Sequence, residues 1–185
     1  MPPVTEEFQL AARLLVALVF VSAAIGKFSH LAEFQGVVAR YRLLPGWLVT
    51  PIANGLPPAE AATGVALMAG SAAPWAAWAA IALLLVFALA MALNLLRGRR
   101  NIDCGCFQSA LRQTLSWTLV LRNMLLAAVL VPTLAPSGAA AGGWTTATGL
   151  LAGGVLFLIL QSLNILWGIV PAWHGPQRPA RGASR

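Results

Sequence analysis

The chain has 185 residues, of which 59% are apolar and 9% charged, where a soluble globular domain carries roughly 25% charged residues. Its 12 basic and 5 acidic residues cannot coat a water-soluble globule, and a mean hydropathy of +0.78 says that much of the chain prefers hydrocarbon. A soluble domain is excluded; the composition is that of a polytopic membrane protein, long enough for one helical bundle with short loops.

The first apolar run covers residues 8–30, with Arg13 near its start and Lys27 near its end. Its length, and Glu6 and Glu7 ahead of it, argue against a cleaved signal peptide, which starts basic and has a short apolar core. Further runs cover residues 47–70, 75–96, 115–134 and 144–170. At about 1.5 Å of rise per residue, each can cross a hydrocarbon core of ~30 Å, so five transmembrane helices are expected. None of the runs alternates as a barrel strand does, which leaves an all-α membrane bundle.

Between the first two runs, Leu31, Phe34, Val37, Val38, Tyr41 and Leu44 recur at helical spacing, with Glu33, Gln35, Arg40 and Arg42 among them. This pattern predicts an amphipathic helix lying in the interface. Pro45-Gly46 turns the chain into the second span, where Pro57-Pro58 is expected to kink or break the helix near mid-depth. Ser71 to Pro74 reads as a tight hairpin between the second and third spans. The expectation is one transmembrane domain over residues 1–170, followed by a disordered basic tail over residues 171–185.

Basic residues predict the orientation. Lys27, Arg40 and Arg42 surround the first loop, Arg97, Arg99, Arg100 and Arg112 the third, and Arg178, Arg181 and Arg185 lie in the tail. The second and fourth loops hold no Lys or Arg. The positive-inside rule therefore expects an inner or plasma membrane protein with its N-terminus outside and its third loop and C-terminus cytoplasmic. Because the arginines sit at membrane boundaries, no nucleic-acid partner is expected; the partner the composition implies is lipid.

The chemistry is expected in Asn101-Ile102-Asp103-Cys104-Gly105-Cys106-Phe107-Gln108, which holds both cysteines of the chain. Two thiols astride a glycine in a polar loop suit a redox pair: a disulfide closed across one residue departs from relaxed geometry, and strained bonds are the easily reduced ones. Arg97, Arg99 and Arg100 favour the thiolate, which is the attacking species, while Asp103 opposes them. Two other readings stand beside this one: a surface loop with idle thiols, and half of a zinc site that His30 and His174 would complete.

Within the spans, ionisable groups are expensive and so draw attention. Glu60 lies near the middle of the second span and Arg122 near the start of the fourth. A Glu60–Arg122 pair is expected, acting as a clamp on helix register or, in the sharper form, placing Arg122 to polarise a quinone or stabilise a thiolate. Arg13 and Lys27 are expected to snorkel. Asn54, Asn94, Asn123 and Asn164 are expected to bond between helices, and Gly149 and Gly153 to form a small-xxx-small contact. A transporter is a weaker reading, since no inverted repeat and only one central carboxylate are visible.

The run Asp103-Cys104-Gly105-Cys106-Phe107, followed by Leu115-Ser116-Trp117 and Arg122-Asn123, resembles the MauE family, the methylamine utilisation membrane proteins related to the DoxX group. Lys27, the stretch from Tyr41 to Pro45, Leu56-Pro57, Glu60 and Gly64 agree with that pattern, while Gln108 stands where the resemblance leads one to expect glycine. The resemblance implies a redox-associated membrane factor that assists processing, transport or disulfide formation of the cysteine-rich methylamine dehydrogenase β subunit. It implies a thioredoxin-like partner of the MauD kind and Cys104 and Cys106 as the working pair. No cofactor is required, with a quinone or another exchangeable electron carrier as the candidate acceptor. A non-enzymatic assembly or metal-handling factor is the alternative.

Overall fold

The computed structural model describes residues 3–69, 73–99, 115–134 and 143–169, and all regular structure among them is helical. In chain order the helices are α1 (Pro3–Ser29), α2 (Leu31–Tyr41), α3 (Gly46–Met68), α4 (Ala73–Leu96), α5 (Trp117–Leu130), which a 3-10 turn (Val131–Leu134) extends, and α6 (Gly143–Ile169). The expected short helix after the first span and the five long helices are all there. The expected basic tail, residues 171–185, and the first half of the hairpin, Ser71 and Ala72, lie outside the described residues.

Among the described residues, four segments are both long and apolar enough to cross a membrane: Glu6–Ser29, Pro74–Leu96, Trp117–Leu134 and Thr146–Leu163. The long helix missing from this set is α3, which has the length but is diluted by Thr50, Asn54, three prolines and Glu60. Neighbours make up for that polarity, since α3 packs against α1, α2 and α4 and buries Pro57, Glu60, Thr63 and Gly64. The expected break at Pro57-Pro58 does not occur: α3 is one helix through Pro51, Pro57 and Pro58, although each proline withholds an N–H from the carbonyl four residues earlier.

Contacts fix the helix directions. A Cβ on Gly64 of α3 would lie 2.9 Å from Val21 and 3.0 Å from the Ala17 carbonyl of α1, while Glu60 meets Lys27, so α1 and α3 run antiparallel. Gly149 abuts Glu7 and Leu10, and Gly153 abuts Ala11 and Leu14, so α6 runs parallel to α1. Both glycines permit backbone approach that no larger residue allows: a Cβ on Gly153 would sit 2.8 Å from the Ala11 carbonyl. The anticipated small-xxx-small step is thus the α1–α6 seam. The main core joins Val16, Phe20, Leu67, Ala80, Leu84 and Leu130 from α1, α3, α4 and α5.

Outside this core the surface is apolar. Leu85, Val86 and Leu89 of α4 and Leu151, Val155 and Leu158 of α6 are exposed, as helices solvated by lipid require. Trp47, Trp75, Trp117 and Trp144 are exposed near the starts of α3, α4, α5 and α6, which places two at each end of the bundle, the arrangement of interfacial aromatic belts.

Two polar side chains of α1 act on the end of α5. Gln9 Nε2 donates to the Pro132 carbonyl at 3.0 Å, and Arg13 Nη2 to the Thr133 carbonyl at 3.4 Å. The last carbonyls of a helix lack partners within it and carry the negative end of its dipole, so an amide and a guanidinium one turn apart satisfy them. Arg13, expected to snorkel, serves this tertiary contact instead. Asn94 and Asn123 also depart from expectation: each bonds back to its own helix, to the Ala90 and Leu119 carbonyls, while Asn54 accepts from Gln35 across α2 and α3.

Candidate functional site

The C-terminal end of α1, α2 and the N-terminal half of α3 meet the C-terminal half of α4 around one ionised pair. Lys27 and Glu60 form a salt bridge, at 6% and 1% exposure respectively. The expectation for Lys27 is a snorkelling span-end cation; it turns inward instead, where Glu60 lies at the same depth on the antiparallel neighbour and offers a carboxylate to pair with. The Lys27 ammonium also lies 5.4 Å from the ring centre of Phe34 and 5.2 Å from that of Phe87, within cation–π range of both.

A cavity of about 250 Å³ opens beside the ammonium. Phe34, Val37, Val38 and Tyr41 of α2 form one wall, Ile52 and Leu56 of α3 a second, and Val86, Phe87, Ala90 and Met91 of α4 a third. With Leu44, five of the six residues of the apolar stripe that marked α2 as amphipathic line this space. Among the described residues Lys27 is the only charged one in the lining, and Glu60 stands behind it.

The same end of the bundle carries the roots of the cysteine loop. Helix α4 closes with Gly98 at φ +73°, a left-handed residue that lets the Gly98 and Arg99 amides bond to the Leu95 and Asn94 carbonyls. After the loop, Leu115 and Leu119 bring the chain back against Leu95 and Met91, and Tyr41 and Phe87 pack on this cluster. Met91, Tyr41 and Phe87 therefore belong at once to the cavity wall and to the support of the loop.

Of the site residues expected from sequence, Cys104, Cys106 and His174 lie outside the described residues. His30 occupies the turn between α1 and α2, its carbonyl accepting from the Phe34 amide. Arg122 is half-buried in α5. Glu60 is buried in α3 and forms an ion pair with Lys27. Sequence reasoning missed the role of Lys27 and the aromatic box formed by Phe34 and Phe87. One signal was available, since Lys27 is the sole lysine of a chain that otherwise uses arginine for every cation.

This arrangement can hold an uncharged, lipid-soluble group: the walls are apolar, the lining residue Val86 is also exposed on the outside of α4, and Lys27 is neutralised by a carboxylate. It defines an all-helical membrane bundle with an internal ion pair beneath an apolar cavity. The family model for the methylamine utilisation protein MauE matches residues 5–136, which include all of the cavity and both roots of the cysteine loop. The chain belongs to the MauE family. The methylamine utilization protein MauE of Paracoccus denitrificans is 48% identical over 164 residues, 88% of either chain. That of Paracoccus versutus is 44% identical over 178 residues, 93% of either chain, and that of Methylorubrum extorquens 41% over 159, covering 85% of this chain and 86% of the relative. No solved structure matches the chain.

Proposed function

We propose that this protein is a membrane accessory factor of methylamine utilisation that uses Cys104 and Cys106 as a thiol–disulfide pair in maturing a cysteine-rich client, such as the methylamine dehydrogenase β subunit. The observation that carries the reading is its kinship along 85 to 93% of its length with proteins named for methylamine utilisation. The cysteine pair supplies the chemistry: with a thioredoxin-like partner, two thiols become one disulfide as the partner's disulfide takes up two electrons and two protons. Arg97, Arg99 and Arg100 lie within seven residues of Cys104 and favour its thiolate. Ten of the twelve basic residues flank or occupy the first loop, the third loop and the tail, which supports a cytoplasmic cysteine loop in the inner membrane.

The test replaces Cys104 and Cys106 with serine, singly and together, in a host that matures the client. Each single variant should insert normally and lose client maturation. Free thiols on the purified wild-type protein should rise by two on reduction of the oxidised form, with no metal bound. Full maturation with the double variant would overturn the thiol reading, and stoichiometric zinc or copper would replace it with metal handling through Cys104, Cys106, His30 and His174.

A further inference from the structure

We infer that the cavity between α2, α3 and α4 is a binding site for the head group of a prenylated quinone. Three features of the site select that ligand class. The first is size: a cavity of roughly 150 Å³ accommodates benzene, so about 250 Å³ takes a substituted six-membered ring and the start of its side chain. Phe34 and Phe87 add flat apolar faces, suited to a planar ring.

The second is hydrogen bonding. A lysine ammonium has three donors, and among the described residues Lys27 has one acceptor, Glu60 Oε1, besides the two ring faces. Lys27 is 6% exposed and belongs to the cavity lining, its ammonium 5.4 and 5.2 Å from the rings of Phe34 and Phe87, which line the same space, so an acceptor that enters between those rings comes within reach of it. A carbonyl oxygen fits, whereas an acid would compete with Glu60 for the same cation and introduce an uncompensated charge.

The third is access. Val86 lies on the cavity wall and is 57% exposed on the outer face of α4, so the mouth opens where lipid chains run. A head group in the cavity can leave its isoprenoid tail in the bilayer. Lipophilic, uncharged, planar and carbonyl-bearing together describe a quinone; an acyl chain meets the first two conditions and makes no use of Lys27.

The consequence for redox chemistry rests on the thiol reading above. A quinone accepts two electrons and two protons. Oxidation of the Cys104 and Cys106 thiols forms one S–S bond and releases the same number, and the two quinone carbonyls become hydroxyls. Lys27 is then a positioning group that holds one carbonyl oxygen and favours the negative charge that reduction develops on it. Phe87, Met91 and Tyr41 pack beneath both the cavity and the loop roots at Leu95 and Leu115, so the cavity lies at the end of the bundle from which that loop departs.

Decylubiquinone titrated by calorimetry into the full chain in detergent micelles tests the site. One saturable site per chain is expected, with decylbenzene binding at least tenfold more weakly. Filling the cavity from α4 with Ala90→Phe, or from α2 with Val38→Phe, should weaken quinone binding at least tenfold at an unchanged helical content. The pair replacement Lys27→Met with Glu60→Met should weaken decylubiquinone and leave decylbenzene as it was. Absence of saturable binding, equal affinity for the two probes, or indifference to both fillings in folded protein would overturn the inference. The titration is repeated on the Cys104→Ser/Cys106→Ser variant: retained binding there alongside normal client maturation removes the thiol reading alone, and lost binding in every form while maturation still needs the cysteines removes the quinone site alone.

Discussion

Lys27 and Glu60 neutralise each other across α1 and α3, both buried, with the Lys27 ammonium over the rings of Phe34 and Phe87. Neither ion could be held there alone, because an isolated charge in hydrocarbon is driven to neutralise or to escape. Removing one partner is therefore worse than removing both. Lys27→Met should destabilise the bundle by about 3–5 kcal/mol, and Lys27→Met combined with Glu60→Met should recover most of that loss. Chemical denaturation in micelles, arranged as a double-mutant cycle, reads the coupling. Simple additivity of the two single losses would show that the pair does not act as a unit.

The α1–α6 seam gives a prediction with its own control. Gly153 faces the Ala11 carbonyl and the Leu14 side chain at distances that leave no space for a Cβ, whereas a Cβ on Gly154 would meet nothing within 4 Å. Gly153→Val should push α6 off α1 and cost about 1–3 kcal/mol, while Gly154→Val should be close to neutral. Protease resistance of α6 in micelles distinguishes them. Equal behaviour of the two variants would mean that α6 is not held through this face.

What the sequence disclosed and what it concealed divide along a physical line. Hydrophobic run length marked all five long helices, because lipid demands one continuous apolar segment per crossing. The stripe from Leu31 to Leu44 marked α2, since helical period is a local property. The destination of that stripe was not local: Phe34, Val37, Val38 and Tyr41 wall a cavity whose other sides come from residues up to 57 positions away, as Phe34 and Met91 illustrate. Lys27 was misread for the same reason. Position near a span end is shared by snorkelling cations and buried ones, and only the antiparallel register with α3 separates them. The prolines of α3 show the converse: the local rule expects a kink or a break, and with packing on three neighbours the helix is not broken.

Gln9 offers a third test, of how the bundle ends α5. Its side-chain amide is buried and donates to the Pro132 carbonyl from 123 residues away. Gln9→Leu keeps the apolar contacts and deletes the donor, leaving that carbonyl without its cross-helix partner. A loss of about 1 kcal/mol is expected, together with faster amide exchange in the 3-10 turn Val131–Leu134. Unchanged exchange at Thr133 and Leu134 would show that the turn holds without α1.

The side of the membrane on which the thiols work decides which partners reach them. The Lys and Arg residues cluster around the first and third loops and in the tail, and the loops between α3 and α4 and between α5 and α6 have none. Five crossings put α1 and α6 parallel, as their glycine seam requires, so the start of α1 and the end of α6 face opposite sides. The positive-inside rule, with the N-terminus outside, predicts a cytoplasmic loop for Cys104 and Cys106, where glutathione and thioredoxin would keep thiols reduced. A membrane-impermeant maleimide added to intact cells after reduction should leave both cysteines unmodified, and should label both once the membrane is permeabilised. Labelling in intact cells would invert the topology. The basic cluster would then face the oxidising side, and the pair could oxidise a periplasmic client directly instead of acting through a cytoplasmic or membrane-borne carrier.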